Sequence, residues 1–341
     1  MKARTYFLVN DTRYDNHHGG LTVVRNLHAG MQARGWTCTG SLPVSASPRH
    51  LQRYRQAIGA AQLVIVNGEG SLHHDSRNTR RLLKICTALR QTHPIALVNA
   101  LWQDNDDSSW KSLLEGFSAV YARDRRSQRQ LQTLGIKAGY APDLTFYQYP
   151  VFQQARRDCY ACTDSVLNEW TRLALRVCEN DRDMVFLTLF TGAIQYSRGA
   201  RDWHKQVKYR MYPWLSRSLG IDVPPRYQSL PYAIRETDAF LQNLASFRAV
   251  CVARYHALCF AMQQQVPFVA VASNSHKSES LIEEAGLPLG DYVIARSEFP
   301  DLKDRLARAY REYPAVENRI REFNRRARQH LESMFDDIAR F

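Results

Sequence analysis

Short apolar runs alternate with segments of helical periodicity through the first half of the chain. The apolar runs predict strands at residues 6–9, 63–66, 95–98 and 119–122. The periodic segments predict helices at residues 21–31, 78–92, 108–117 and 124–134. Strands that alternate with helices are typical of a parallel sheet covered by helices, so residues 1–147 are predicted to form one doubly wound α/β domain.

The same alternation resumes after a less regular stretch. Strands are predicted at residues 184–189, 249–253 and 268–271, and helices at 237–246, 257–264, 279–285 and 302–312. Residues 148–183 contain Pro150 and one helical piece near 166–177, which indicates a domain junction. We therefore predict a second α/β domain at residues 184–315. A final helix, 316–341, is expected to pack back across the domains through its apolar face.

The strand predicted at 249–253 runs directly into Arg254, Tyr255 and His256. Ligands in open α/β sheets bind beyond the carboxyl ends of strands, so this arginine and histidine are candidate site residues. A helix that starts here adds unpaired backbone N–H groups, which suit an anion. The alternative interpretation of His256 is a cap of that helix.

The strand predicted at 63–66 leads into a second polar loop. Its residues are Asn67, Gly68, Glu69, Gly70, Ser71, Leu72, His73, His74 and Asp75. Two glycines around one carboxylate let the backbone approach a ligand closely. The alternative is an ordinary strand-to-helix turn with a solvated Glu69.

Two further loops follow predicted strands. Arg123 follows the fourth strand and is a candidate ligand contact. Its neighbour Asp124 is at least as well suited to capping the next helix as to contacting a ligand. Near the amino terminus, Asn10 and Asp11 open a loop that continues through residues 12–20. Its hydrogen-bonding groups suit a polyol substrate, or else they form a solvated connection.

Composition limits the class of protein. The chain has 341 residues, of which 45% are hydrophobic, enough for two cores. No stretch approaches the roughly 20 apolar residues that cross a bilayer, and no signal-peptide core follows Met1, so we expect a cytoplasmic protein. The seven cysteines are irregularly spaced, which favours reduced thiols over disulfides.

The net charge of +13 favours anionic partners. Because no nucleic-acid-binding module accompanies the basic residues, we expect no nucleic-acid partner. The residues that could bind a metal ion are His17, His18, His73, His74, Asp11, Asp15 and Asp75. Adjacent histidines rarely share one tetrahedral site and no zinc-finger spacing is present, so no metal site is predicted.

Four groups of residues resemble motifs of one family, the polysaccharide pyruvyl transferases, which form pyruvate ketals on bacterial and yeast glycans from phosphoenolpyruvate. The groups are Asn67-Gly68-Glu69-Gly70; Ala122-Arg123-Asp124 with Ser127; Leu134-Gly135-Ile136 with Ala141-Pro142-Asp143; and Arg254-Tyr255-His256-Ala257 with Val266-Pro267 and Lys277. Their order and spacing match across most of the chain.

The resemblance implies a GT-B-like fold, in which two Rossmann-type doubly wound parallel-sheet domains face a central cleft that holds the active site. It implies that Arg254 and His256 contact phosphoenolpyruvate and that the glycine-rich loop faces the sugar acceptor. This chain has Leu189-Phe190-Thr191-Gly192 where many members carry an arginine, which leaves Arg198 or Arg201 as candidate substitutes.

Phosphoenolpyruvate carries two anionic groups, which Arg254, Arg123 and Lys277 are predicted to bind. His256 is the predicted general acid and Glu69 the predicted base for an acceptor hydroxyl. Lys277 is equally compatible with an exposed helix start. The predicted acceptor-binding residues are Asn10, Asp11, Gly68, Gly70, Ser71, His73 and His74. The donor is a substrate, and no cofactor is required.

The leading hypothesis is ketal transfer to a sugar of a bacterial surface polysaccharide or its lipid-linked precursor. One alternative is a nucleotide-sugar-dependent GT-B glycosyltransferase, which would bind its nucleotide sugar and not phosphoenolpyruvate. Another is a noncatalytic glycan- or anion-binding protein, in which His256→Ala would leave the activity intact. Five arginines of the last helix also suggest peripheral contact with the anionic inner face of the cytoplasmic membrane; they are Arg319, Arg321, Arg325, Arg326 and Arg328.

Overall fold

The computed structural model describes residues 4–105, 107–153, 155–196, 203–219, 224–272 and 274–341. The chain forms two compact units. The first runs to Asp15, continues over Gly20–Gln148 and closes with Arg325–Phe341, and the second comprises Asn16–Gly19 and Tyr149–Asn324. The four residues Asn16–Gly19 therefore belong to a different unit from the strand that precedes them.

The first unit is built on a parallel six-stranded sheet. Its strands are β1 (Arg4–Asp11), β2 (Trp36–Pro43), β3 (Leu63–Glu69), β4 (Ile95–Ala100), β5 (Ala119–Ala122) and β6 (Ala138–Tyr140), in the order β2-β1-β3-β4-β5-β6. The helices up to this point are α1 (His18–Gln32), α2 (Arg55–Gly59), α3 (Arg77–Leu89), α4 (Asp107–Leu114) and α5 (Arg125–Thr133), with 3₁₀ turns at Thr12–Asp15, Pro48–Tyr54 and Leu144–Phe146. The central strand β4 is buried along its whole length and β3 at every residue except its last, Glu69, as expected for a sheet covered on both faces.

The second unit repeats this plan with a parallel five-stranded sheet. Its strands are β7 (Tyr160–Thr163), β8 (Met184–Leu187), β9 (Val250–Val252), β10 (Phe268–Val271) and β11 (Val293–Ile294), in the order β11-β10-β9-β7-β8. The helices are α6 (Asn168–Asn180), α7 (Trp203–Leu219), α8 (Pro225–Gln228), α9 (Thr237–Ala245), α10 (Tyr255–Gln263), α11 (Lys277–Glu284), α12 (Leu289–Tyr292) and α13 (Leu302–Ile338), with 3₁₀ turns at Leu230–Tyr232 and Arg296–Asp301.

The seven predicted strands are confirmed as β1, β3, β4, β5, β8, β9 and β10, whereas β2, β6, β7 and β11 were missed. β2 is an edge strand whose middle positions are partly exposed, so its sequence lacks a buried apolar run. β7 is only four residues long, yet it lies inside the second sheet between β9 and β8. The stretch predicted as a junction, 148–183, therefore supplies a strand and the helix α6 to the second unit from Tyr149 onward.

The last helix also differs from the prediction. The helices expected at 302–312 and 316–341 form one 37-residue helix that contains Pro314. A buried apolar stripe continues on both sides of the proline, from Leu306 to Ile338, and this packing outweighs the local cost of the proline. The boundary predicted at 315/316 thus falls inside α13, and the units change at Asn324 and Arg325.

The apolar face of α13 points into the protein. Its residues Ile320, Phe323, Ala327, Leu331 and Met334 are all buried. In the first unit, Phe335 lies so close to Gly30 that a Cβ atom at position 30 would stand 2.3 Å from its ring. No helix in the described part of the chain is long and apolar enough to cross a membrane. All seven cysteines are free thiols, as predicted.

Candidate functional site

In the second unit, Arg254 is held by a buried carboxylate. Arg254 follows β9 and is the N-cap residue of α10, and Asp164 follows the neighbouring strand β7. The arginine Nε donates to Asp164 Oδ2 over 2.5 Å, and the backbone N–H of Leu189 donates to Asp164 Oδ1 over 2.7 Å. A charge-assisted bond of this kind fixes the plane of the guanidinium group.

Two further contacts complete the environment of Arg254. Its Nη2 donates to the carbonyl oxygen of Ser165 over 3.3 Å, and its guanidinium carbon lies 4.8 Å from the centre of the Phe190 ring. No described residue accepts a hydrogen bond from Nη1. Phe190 belongs to the segment in which the expected family arginine is absent, so an aromatic face supports Arg254 at this place.

His256 is the second residue of α10 and lies against the amino-terminal segment of the same unit. Its side chain is buried, with 8% of the residue exposed. The His17 ring centre lies 5.6 Å from that of His256 and 5.8 Å from that of Phe190. The backbone of Gly19 covers the imidazole, and a Cβ atom at position 19 would stand 2.2 Å from its Cγ. His17 and Gly19 thus restrict where the His256 ring lies.

We expect Gly19→Ala to destabilise the second unit. The added methyl group requires the His256 ring to move, and overpacking of this kind costs roughly 1–3 kcal/mol. Urea denaturation measures the loss. The control is Gly290→Ala, because a Cβ atom there meets nothing within 4 Å. Equal free energies of unfolding for both variants would show that His256 is not confined by residue 19.

His18, next in the chain, is buried as a neutral imidazole. It stacks on Phe240 at 4.5 Å between ring centres and forms hydrogen bonds of 3.0 Å with the hydroxyl of Thr237 and the carbonyl of Ile234. Burial lowers the pKa of His18 from its usual value to about 4, although the Ile234 carbonyl partly opposes this shift.

This pKa shift predicts a loss of stability in acid. Between pH 6.5 and about 4 the unfolded chain binds the proton and the folded chain does not, so stability falls as the pH falls. The contribution reaches up to about 3 kcal/mol at the lower end. Comparing the free energies of unfolding of the wild type and His18→Gln at pH 7 and pH 4.5 checks this, since the variant lacks this part of the pH dependence. Parallel pH profiles would contradict it.

Lys277 begins α11, after the strand β10 that lies beside β9. It stands at a helix start, as one interpretation held, but the residue is buried and not exposed. Its Nζ donates to Asn274 Oδ1 over 2.9 Å. Lys277 therefore follows the carboxyl end of β10, Arg254 and His256 follow that of β9, and Asp164 follows that of β7.

In the first unit, the glycine-rich loop joins the end of β1. Asn10 Nδ2 donates to the carbonyl of Asn67 over 2.7 Å and to the Ser71 hydroxyl over 3.1 Å. Asn67 Nδ2 in turn donates to Glu69 Oε2 over 3.1 Å. The structure thus brings together four residues of the predicted loops in one polar network.

The backbone of this network is strained at three neighbouring strand ends. Asn10 on β1, Glu69 on β3 and Asn99 on β4 have φ values of 66°, 36° and 56°. Such conformations cost about 1–3 kcal/mol each and cluster at functional sites. Gly68 is required by packing, because a Cβ atom there would lie 2.7 Å from the Cα of Ala100.

Arg123 belongs to the same unit and lies beside the glycine-rich loop. Its buried Nη1 pairs with Asp143 Oδ2 at 3.3 Å, and its Nη2 is 4.0 Å from a Cβ atom built on Gly70. Asp124 accepts the backbone N–H of Ser127 over 2.8 Å, which confirms its capping role. Arg123 was grouped with Arg254 and Lys277 from the sequence, but those two lie in the other unit.

Three other predicted acceptor residues, Asp11, His73 and His74, contact residues that are not members of this network. The Asp11 carboxylate is fully buried and takes hydrogen bonds from Arg13 and from the Ser41 hydroxyl, so its oxygens are occupied within the protein. His73 and His74 meet ring edge to face at 5.0 Å, and His74 Nδ1 lies 3.2 Å from Asp104 Oδ2.

The residues considered as metal ligands are divided between the units. His17 and His18 belong to the second unit, and His73, His74, Asp11, Asp15 and Asp75 to the first. Among the described residues no group of three or more His, Cys, Asp or Glu side chains is placed to hold a metal ion. Arg198 and Arg201, the candidate substitute arginines, lie outside the described residues.

Sequence reasoning missed two residues that hold the candidate groups, Asp164 and Asn99, and it named a third, Asp143, only as part of a motif. Asp164 pairs with Arg254, Asp143 pairs with Arg123, and Asn99 Nδ2 donates to Asn67 Oδ1 over 3.3 Å. Each follows or ends a strand, so a polar residue at a strand end was the available signal. For Asp164 that signal depended on recognising β7.

Two α/β units, each with a parallel sheet, define a GT-B-like fold, as predicted. S. aureus MnaA in complex with UDP has a similar fold, with a TM-score of 0.54 and 10% identity over 92% of this chain and 91% of that one. UDP-GlcNAc 2-epimerase from Methanocaldococcus jannaschii gives a TM-score of 0.50 and 10% identity over 90% and 91% of the two chains. At such identities the similarity concerns the fold alone.

The family is identified by sequence. The model of the polysaccharide pyruvyl transferase family matches residues 7–275, and the chain belongs to this family. The match covers Glu69, Arg123, Arg254 and His256 and ends two residues before Lys277. A comparison with curated proteins found no match.

Proposed function

We propose that this protein transfers pyruvate from phosphoenolpyruvate to a sugar of a bacterial surface polysaccharide or its lipid-linked precursor, as a cyclic ketal. The observation that carries the proposal is the fixed guanidinium of Arg254 at the start of α10, in a chain of this family. A cation there, beside the backbone N–H groups of a helix start, suits a small anionic donor.

Arg254 and Lys277 are the proposed donor-binding residues. Asp164 orients Arg254 through Nε and leaves Nη1 for a carboxylate or phosphate oxygen of the donor. Lys277, from the next strand end, supplies a second positive charge. Arg123 is already paired with Asp143 beside Gly70, so we assign it to supporting the glycine-rich loop.

His256 is the proposed general acid. It gives a proton to the methylene carbon of phosphoenolpyruvate, and the positive charge that develops on the adjacent carbon is attacked by an acceptor hydroxyl. The bond from that carbon to the phosphate oxygen then breaks, phosphate leaves, and a second hydroxyl closes the ring. Of the two hydroxyl protons, one replaces the proton given to carbon and the other leaves with phosphate, so the atoms balance without a cofactor.

The polar network of the first unit is the proposed acceptor site. Glu69 is partly exposed and is the proposed base for the first acceptor hydroxyl. Asn10, Gly68, Gly70 and Ser71 are proposed to shape this loop for a sugar. His73 and His74, near the end of this loop, are proposed to contact the outer part of the acceptor, whereas Asp11 is assigned to holding Arg13. We place the reaction in the cytoplasm, where phosphoenolpyruvate is available.

Product analysis tests the proposal directly. The protein is incubated with phosphoenolpyruvate and a panel of oligosaccharide and lipid-linked acceptors, and both phosphate and the new ketal methyl group are measured. We expect phosphate release that depends on the acceptor and matches ketal formation in amount. Transfer from a nucleotide sugar instead, with no phosphate release from phosphoenolpyruvate across the panel, would establish the glycosyltransferase alternative.

A further inference from the structure

Helix α7 presents large apolar side chains to the surface of the second unit. Met211, Trp214 and Leu219 are 48%, 58% and 59% exposed. They occupy positions i, i+3 and i+8, which fall on one stripe of a helix. The other exposed large apolar residues in the described part of the chain are Val151, Val166, Tyr232, Tyr310 and Phe341. No other described helix carries three of them.

This stripe belongs to a helix that is packed into its unit. The rings of Tyr209 and Tyr212 lie 5.9 Å and 4.6 Å from the ring of Tyr227 on α8, measured between centres. The contacts tie α7 to α8, while Met211 and Trp214 remain exposed. The exposed stripe is therefore a feature of a packed helix.

The positive charge of α7 indicates which kind of surface the exposed stripe binds. Its seventeen residues include four basic residues and no acidic residue, in a chain of net charge +13. Tryptophan prefers the boundary between lipid headgroups and acyl chains, and basic residues are attracted to anionic headgroups. A basic helix with an exposed stripe of Trp, Met and Leu is typical of a helix that lies in the membrane interface.

The C-terminal helix does not have these properties. Its apolar face is buried within the protein, so its arginines have no apolar stripe beside them. At least one of them, Arg321, is already paired with Glu317 on the same helix. The contact with an anionic membrane that the sequence suggested for α13 therefore lacks an apolar component there.

We propose that α7 is the membrane-binding element of this protein and that its occupant is an anionic lipid bilayer, into which Met211, Trp214 and Leu219 insert. The inference does not depend on the identity of the donor. It extends the proposed function, because an acceptor carried on a lipid is presented at such a surface.

Vesicle flotation of the full chain tests the proposal. The α7 variant carries the three substitutions Met211→Ser, Trp214→Ser and Leu219→Ser. The matched control carries Val151→Ser, Val166→Ser and Phe341→Ser, at three positions of similar exposure outside α7. We expect the wild type and the control to float with phosphatidylcholine vesicles that contain about one-third phosphatidylglycerol. We expect the bound fraction of the triple α7 variant to fall about tenfold or more.

The lipid and salt dependence completes the test. Binding of the wild type is expected to weaken when the vesicles are pure phosphatidylcholine and when the salt concentration is high. Both variants are expected to unfold at the same temperature as the wild type, because all six substituted positions are exposed. Equal flotation of the wild type and the α7 variant, or no flotation of the wild type, would overturn the proposal. Self-association that the α7 variant abolishes, without lipid binding, would show instead that the stripe joins two copies of the chain.

Discussion

Arg254→Lys is expected to lower kcat/KM for phosphoenolpyruvate by roughly 10- to 100-fold, which corresponds to the loss of one or two charge-assisted hydrogen bonds. Lysine keeps the positive charge but not the planar fork, and its single nitrogen cannot bind both Asp164 and a donor oxyanion in the same geometry. Steady-state kinetics with a fixed acceptor measure the change. The effect is expected mainly in KM, because Arg254 is proposed to bind the donor.

The matched control is Arg296→Lys in the same unit. Arg296 is exposed and pairs with Glu169 at the surface, so its replacement is expected to change neither kinetics nor stability appreciably. If Arg254→Lys had the same kcat/KM for phosphoenolpyruvate as Arg296→Lys, donor binding would have to be assigned to other residues. A loss of stability in Arg254→Lys alone would indicate a structural ion pair with Asp164 and not a donor site.

His256→Gln is expected to lower kcat by about 10²- to 10⁴-fold while the KM for phosphoenolpyruvate changes little. Glutamine keeps a hydrogen-bonding side chain of similar length but cannot donate a proton to carbon. Single-turnover measurement of phosphate release separates this chemical step from binding.

The control for this prediction is His93→Gln, in the first unit. His93 Nε2 forms a hydrogen bond of 3.0 Å with the carbonyl of Ile58 and belongs to neither candidate cluster. We expect its kcat to equal that of the wild type. If His256→Gln also had the kcat of the wild type, His256 would have no part in catalysis. It would then be a residue at the start of a helix that packs under Gly19.

The first candidates were predictable because strong local patterns mark them. Arg254 and His256 follow a run that is fully buried as β9, and the sequence places them at the start of a helix-forming segment. Glu69 likewise ends the buried strand β3. In both places a long apolar run ends abruptly in polar residues, and this change of pattern is local enough to be read from one sequence.

The partners of these residues were not predictable in the same way. Asp164 lies 90 positions before Arg254, and the strand that it follows, β7, has only four residues. His17 and Gly19 follow a strand of the first unit but contact His256 in the second. Such pairs depend on tertiary packing, which leaves no periodic signal in the chain.

The helix α13 illustrates the opposite error. Two separate helices were predicted at 302–312 and 316–341, and Pro314 between them would favour a break, because proline removes a hydrogen bond and crowds the preceding turn. The helix continues, since residues on both sides of the proline, Tyr313 and Ile320 among them, are buried on one face. Burial of a continuous apolar face stabilises the helix at this place more than the proline destabilises it.

Calorimetric titration of the wild type and of Arg254→Lys with phosphoenolpyruvate is the sharpest test of Arg254 as a donor-binding residue. We expect saturable binding to the wild type and an affinity about tenfold or more lower in the variant. Equal affinity of the two proteins for phosphoenolpyruvate, or binding of a nucleotide sugar but not of phosphoenolpyruvate, would rule out this role.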